Sequence, residues 1–197
     1  VSPAGGARWA RARRPRGQRV PIQAGAGGGG HVAIQLAKEQ GCEVATTVSS
    51  DEKAEFVKGL GADCIINYQQ EDVAKRVNDW SEGGVDVAFD TVGGKVLEQC
   101  FACVRPYGDV VTILQPDANT QWSEARLRNL RFSMELMLSP AIMQLPAEQA
   151  RHGNLLKNAA AFCSSRHLHV HVAESFPLAE ASIAHHLLEQ QHAPGPL

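Results

Sequence analysis

Ala24-Gly25-Ala26-Gly27-Gly28-Gly29-Gly30-His31 is the stretch that decides the fold of this chain. Gly25, Gly27 and Gly30 fit the spacing G-x-G-x-x-G. Arg19-Val20-Pro21-Ile22-Gln23 before it suits a strand, and Val32-Ala33-Ile34-Gln35-Leu36-Ala37-Lys38 after it suits a helix. In that setting each glycine has a task. The first lets the chain turn sharply, the second lets backbone approach a pyrophosphate, and the third lets helix pack closely on strand. The helix N-terminus then offers N–H groups and a partial positive charge to phosphates. A flexible glycine linker is the competing reading, but linkers are seldom flanked by a strand and an amphipathic helix.

Outward from this turn, strands and helices alternate. Strands are expected at Arg19–Ala24, Glu43–Val48, 64–68, 85–90 and 109–114, and helices at about 30–40, 51–60, 72–80 and 95–104. Gly41 suits a helix C-terminus, and Ser50 or Asp51 can cap the second helix. Pro21 fits poorly in a central strand, which needs its N–H. The strands are short, mostly apolar runs without strict alternation, as in parallel sheets covered on both faces. The fold class is therefore α/β, a doubly wound parallel sheet of the Rossmann type. Beyond residue 115 the pattern loosens. Trp122 to Leu138 reads as helical, Pro146 to Phe162 as a long helix, Leu168 to Phe176 as a strand, and Pro177 to about Gln191 as a last helix. The chain divides into a basic leader (1–18), a dinucleotide-binding domain (19–144) and a C-terminal part (145–197) of helices and a strand.

The bulk numbers exclude several classes. The chain has 197 residues, 44% of them hydrophobic and 20% charged, with a formal net charge of -2. It has no global charge to draw it to nucleic acid or membrane. No apolar run approaches the roughly 20 residues a membrane helix needs, and residues 1–19 lack a secretory h-region. The five cysteines are an odd number, which suits free thiols in a reducing cytoplasm. Residues 1–19 carry Arg8, Arg11, Arg13, Arg14, Arg16 and Arg19. This stretch reads as a disordered leader or a remnant of a truncated domain or, alternatively, as a basic arm for an acidic surface or for nucleic acid, whose binding would fall steeply with salt.

Five stretches in register carry a family resemblance: the glycine turn; Ser49-Ser50-Asp51-Glu52-Lys53; Leu60-Gly61-Ala62-Asp63 with Ile66-Asn67-Tyr68; Phe89-Asp90-Thr91-Val92-Gly93-Gly94; and Phe176-Pro177-Leu178-Ala179-Glu180-Ala181 through Glu189. Together they resemble the cofactor-binding half of medium-chain dehydrogenase/reductases, in the zinc-free quinone oxidoreductase (zeta-crystallin-like) branch. The resemblance implies NADPH-dependent hydride transfer to a small quinone or activated alkene, and a homodimer. In that family the nicotinamide lies between the Rossmann domain and an N-terminal GroES-like catalytic domain. Residues 1–18 are too few to build that domain, so it is expected to be absent. The alternative is a non-catalytic NADP(H)-binding module or degraded remnant acting as a sensor or partner-binding protein. Gly29 stands where the family has a valine, which predicts a looser turn.

The cofactor preference has a chemical basis. NAD sites place an acid at the end of strand two to accept from the ribose 2′-OH. Here that end reads Thr47-Val48-Ser49-Ser50, with Asp51 and Glu52 only afterwards. Lys53, one helical turn on, can reach a 2′-phosphate, which favours NADPH over NADH. The resemblance assigns Ser49, Lys53 and Tyr68 to the adenosine side and places Thr91 and Val92 beside the cofactor. A capping serine, a solvated lysine and a half-buried tyrosine are the alternatives. No catalytic residue is assigned. No metal is expected: Cys100-x-x-Cys103 falls on one helix face as buried thiols, and His167, His169 and His171 share a strand face without further ligands.

Overall fold

The computed structural model describes residues 17–189. Most of the basic leader and residues 190–197, with the expected end of the last helix, lie outside them. Six parallel strands form the centre: β1 (Arg19–Ile22), β2 (Glu43–Val48), β3 (Cys64–Asn67), β4 (Val85–Asp90), β5 (Val104–Thr112) and β6 (Arg131–Met134). Their order is β3-β2-β1-β4-β5-β6. The chain winds one way from β1 to β3, then returns to place β4 on the other side of β1. The crevice at the carboxyl ends of β1 and β4 is the switch point where such sheets bind ligands.

The helices form where capping and apolar spacing coincide. Helix α1 (Gly30–Glu39) buries Ala33, Ile34 and Ala37 and ends before Gly41, whose φ of 76° leaves the helix. Helix α2 (Asp51–Gly59) starts at Ser50, whose hydroxyl accepts the Lys53 N–H, and Asp51 and Glu52 oppose its dipole. Helix α3 (Val73–Ser81) is capped by Asp72, and α4 (Gly94–Cys103) follows Gly93 at φ 80°. Two apolar clusters cover the two sheet faces. One gathers Ile66, Val77, Val85, Leu97 and Phe101; the other gathers Ile22, Ile34, Val44, Val57 and Phe89. Cys100 and Cys103 are fully buried in the first.

Pro21 does sit in central β1. Gln23 donates its N–H to Phe89 O, so the position two residues earlier faces β4 as well. The β1–β4 ladder has its only rung at Ile22–Phe89, and no donor is required at Pro21. Strand β5 begins earlier than expected, at Val104. Its register with β4 shifts between Val85 and Val87, and residues 105–108 form an irregularity inside the strand, with Tyr107 at φ 63°.

Two expectations are corrected. Residues 122–138 are not one helix. Helix α5 (Ser123–Leu127) is short, Asn129 at φ 52° stops it, and β6 then pairs with β5. Packing decides this: Phe132 meets the Trp122 ring edge-on at 4.9 Å and lies 6.2 Å from Phe101, while Arg131 pairs with Asp109 across the strands (Nε–Oδ1 2.7 Å). Leu168 to Phe176 is not a strand either. It runs without a sheet partner over α1. Between these lie α6 (Ser139–Ile142) and α7 (Pro146–Ser164), the latter with no buried residue. A 3-10 turn (Leu178–Glu180) leads into α8 (Ala181–Glu189). No helix among the described residues is long and apolar enough to cross a membrane.

Candidate dinucleotide site

The turn between β1 and α1 is shaped by contacts that exclude side chains. A Cβ on Gly30 would stand 2.1 Å from Ala24 O and 2.7 Å from Gly25 Cα. One on Gly25 would stand 2.1 Å from Thr46 Oγ1. These two glycines let helix, turn and strand close on one another. At Gly27 the gap to Ala24 O would be 3.2 Å, so it is less constrained. Gly29, with φ -86° and ψ -42°, has ordinary helical dihedrals and caps α1 without a side-chain bond. The first turn of α1 holds no acid, leaving its positive end uncompensated.

A cleft of about 630 Å³ opens beside this turn, within the usual size of ligand sites. Of the residues singled out in the sequence, Gly27, Gly28, Ser49, Lys53, Tyr68, Thr91 and Val92 line it. Gly25, Gly29 and Gly30 do not line it. Lys53 Nζ donates to Ser49 Oγ at 3.2 Å, and half-exposed Tyr68 follows β3 on the same side. Asp51 and Glu52 do not line the cleft. Just after β2, Ser49 and, from the first turn of α2, Lys53 therefore present a hydroxyl and an ammonium to the cleft, whose lining holds no carboxylate side chain.

A buried polar network holds the cleft floor. Thr47 Oγ1 donates to Gln23 Oε1 and accepts the Ala24 N–H, both at 2.9 Å. The Thr91 hydroxyl donates to Gln23 O at 2.9 Å. Gln23 Nε2 donates to Cys100 Sγ at 3.5 Å. Burial raises the Cys100 thiol well above its ordinary pKa, with Asp90 and Cys103 adding to it, so Gln23 meets a neutral sulfur. Fully buried Asp90 accepts the Val92 and Gly93 N–H groups (3.0 and 2.9 Å) and the Thr112 hydroxyl (2.6 Å), fixing the loop that carries Thr91 and Val92. Sequence reading missed Gln23 and Thr47. Both sit at strand ends facing a crevice, a placement that could have flagged them. It also missed Leu187 and Leu188 of α8, which close one wall. Nothing local distinguishes them from other apolar helix positions.

No three His, Cys, Asp or Glu side chains converge as a metal site among the described residues. His167, His169 and His171 spread along the segment over α1.

A family model described as zinc-binding dehydrogenase matches residues 60–197. A 2-haloacrylate reductase of Burkholderia sp. is 32% identical over 176 residues, covering 86% of this chain and 51% of that protein. An NADP-dependent oxidoreductase of Cochliobolus heterostrophus is 39% identical over 97 residues, 49% of this chain and 26% of its own. The crystal structure of a quinone oxidoreductase from Pseudomonas syringae superposes with a TM-score of 0.81 at 29% identity, covering 92% of this chain and 56% of that one. The chain thus spans about half the length of the Burkholderia and Pseudomonas proteins.

Proposed function

This chain belongs to the zinc-binding dehydrogenase family of medium-chain dehydrogenase/reductases, in the zinc-free quinone oxidoreductase branch, and from that premise we propose that it is the NADPH-binding part of a quinone or activated-alkene reductase. The observation that carries the reading is the cleft itself, with a glycine-rich turn at one side and the Ser49–Lys53 pair at the other. The residues present fit the cofactor. Gly27 and Gly28 with the start of α1 receive the pyrophosphate. Lys53 and Ser49 hold the 2′-phosphate, Lys53 as a point charge and Ser49 as a hydroxyl partner. Tyr68 packs on the adenosine side, and Thr91 and Val92 border the nicotinamide end. Leu187 and Leu188 make one wall apolar. When bound, NADPH supplies a hydride to an electron-poor double bond or quinone.

The relatives' names include quinone oxidoreductase and 2-haloacrylate reductase, both taking small electrophilic acceptors. We read residues 19–144 as the dinucleotide-binding domain and 145–197 as the segment that completes its junction. A homodimer through this half is the assembly the resemblance implies. The exposed run Leu136-Met137-Leu138 beside edge strand β6 supports it, and light scattering would test it. The second reading is a module that binds NADP(H) without turnover.

Fluorescence titration with NADPH and NADH, followed by quinone-dependent NADPH oxidation, tests both. Tight NADPH binding with oxidation supports the reductase; binding alone supports the second reading. Absence of binding below millimolar nucleotide overturns both.

A further inference from the structure

His31, the first residue after the glycine run, has a side chain that the dinucleotide reading does not use. Its ring is fully buried. Nδ1 lies 3.0 Å from Gly27 O, and Nε2 lies 3.3 Å from the His171 backbone N. A carbonyl can only accept and a backbone N–H can only donate. The ring is therefore neutral, with its proton on Nδ1.

Both contacts belong to larger arrangements. Gly27 O also accepts the His31 backbone N–H at 3.2 Å, so His31 holds this carbonyl twice. In a trans peptide the N–H of Gly28 points opposite to the carbonyl of Gly27. Tying the carbonyl back toward α1 turns the Gly28 N–H away from the helix. No backbone carbonyl takes that N–H among the described residues, and Gly28 lines the cleft.

On the other side, α1 grips residues 167–171 at regular intervals. His31 takes the His171 N–H. Gln35 donates to His169 O at 2.9 Å and accepts the His169 N–H at 2.8 Å. Glu39 meets the His167 ring at 3.2 Å. Positions 31, 35 and 39 advance about 6 Å per step on one helix face, and alternate residues of an extended chain advance about 6.6 Å. The two repeats match, so a strap without strand partners is held straight against the helix. Leu168 is buried beneath it, and Phe56 of α2 packs 5.1 Å from the His171 ring and 6.4 Å from the His31 ring.

We infer that His31 is a positioning residue for the dinucleotide turn: seated by the 167–171 strap, its ring fixes the Gly27 carbonyl and so aims the Gly28 N–H at the pyrophosphate. The inference rests on the dinucleotide reading of the cleft. It makes the strap, far from the turn in sequence, part of the phosphate site.

The test is calorimetric titration of the full chain with NADP⁺ at pH 7.5. His31→Leu keeps an apolar buried side chain but cannot hold the carbonyl. It should weaken NADP⁺ by about tenfold, the scale of one or two hydrogen bonds. His31→Asn restores an N–H near the Nδ1 position and should return affinity to within about threefold of the original. A purely space-filling role would not give rescue by the smaller, polar residue. The Gly28 amide proton resonance should shift in His31→Leu and return in His31→Asn. A loss below about fivefold in His31→Leu, or a loss that His31→Asn fails to restore, overturns the inference while leaving the dinucleotide reading intact. If the unaltered chain binds no NADP⁺, the dinucleotide reading falls and this inference with it.

Discussion

Lys53 Nζ reaches Ser49 Oγ at 3.2 Å, so the ammonium of α2 is already turned toward the end of β2. The proposed NADPH reading gives this pair the 2′-phosphate to bind. Lys53→Ala should weaken NADPH by about tenfold or more, since hydrogen bonds to charged groups contribute roughly 1.5–3 kcal/mol. NADH affinity should change little. Parallel titrations decide it: equal losses for both nucleotides would remove the 2′-phosphate assignment.

Gly30 offers no room for a methyl group. In Gly30→Ala the new Cβ would stand 2.1 Å from Ala24 O, a backbone atom that cannot rotate away. Overpacking of this kind costs about 3 kcal/mol. Urea denaturation should show that loss, and nucleotide binding should weaken as α1 is pushed from β1. A variant as stable as the parent would show that the turn yields more readily than its contacts imply.

Ala24 adopts φ 51°, a left-handed conformation that costs a non-glycine residue about 1–2 kcal/mol. Ala24→Gly relieves that strain but adds freedom to the unfolded chain. The balance favours the variant by about 0.5–1 kcal/mol, read as a higher denaturation midpoint. Destabilisation would mean that the Ala24 methyl contributes packing outweighing the strain.

Thiol chemistry reports the core directly. Cys163 is exposed, whereas Cys42, Cys64, Cys100 and Cys103 are buried. Burial raises the Cys42 and Cys64 thiols above their ordinary pKa and pushes Cys103 up to about 12. An aromatic disulfide reagent at neutral pH should therefore label Cys163 rapidly in the native protein and the other four only after unfolding. Mass mapping identifies the sites. Fast native labelling of Cys100 would contradict its place under Gln23.

Acid should loosen the strap. Burial lowers the pKa of His31, opposed by its bond to the Gly27 carbonyl and reinforced by His171 and His169; the uncharged Phe56 ring of α2 lies 6.4 Å from it. A depressed folded-state value means the unfolded chain binds the proton more readily. The contribution of His31 to stability is complete above its unfolded pKa of about 6.5, and is lost as pH falls through its lower folded value. Protonated Nε2 would also face the His171 N–H, donor against donor. Hydrogen exchange should show the His171 amide losing protection on acidification, and the native stability falling with it. In His31→Asn the acid-dependent part of that stability loss should be smaller. An identical pH profile in the variant would assign the acid sensitivity elsewhere.

The sheet was legible because its signals are local. Glycine spacing, capping residues such as Ser50 and Asp72, and apolar runs are steric and hydrogen-bonding statements about a few neighbours, and the first five strands and four helices lie near their expected places. Trp122 to Leu138 misled because its apolar residues suit a helix as well as a strand. The choice fell to the Phe101–Trp122–Phe132 ring contacts and to the open edge of β5. His169-Val170-His171-Val172 alternates like a strand but finds no strand to pair with, so helix side chains take its backbone groups.

The sequence by itself determined that a glycine turn joins a strand to a helix in a parallel α/β sheet, and that no acid ends strand two. Those are properties of backbone sterics and residue chemistry at adjacent positions. Only the tertiary structure decided that Gln23 and Thr47 floor the cleft, that Leu187 and Leu188 wall it, and that His31 ties its turn to His171. Each of those contacts joins residues distant along the chain, and only folding brings their backbone and side-chain groups within bonding distance.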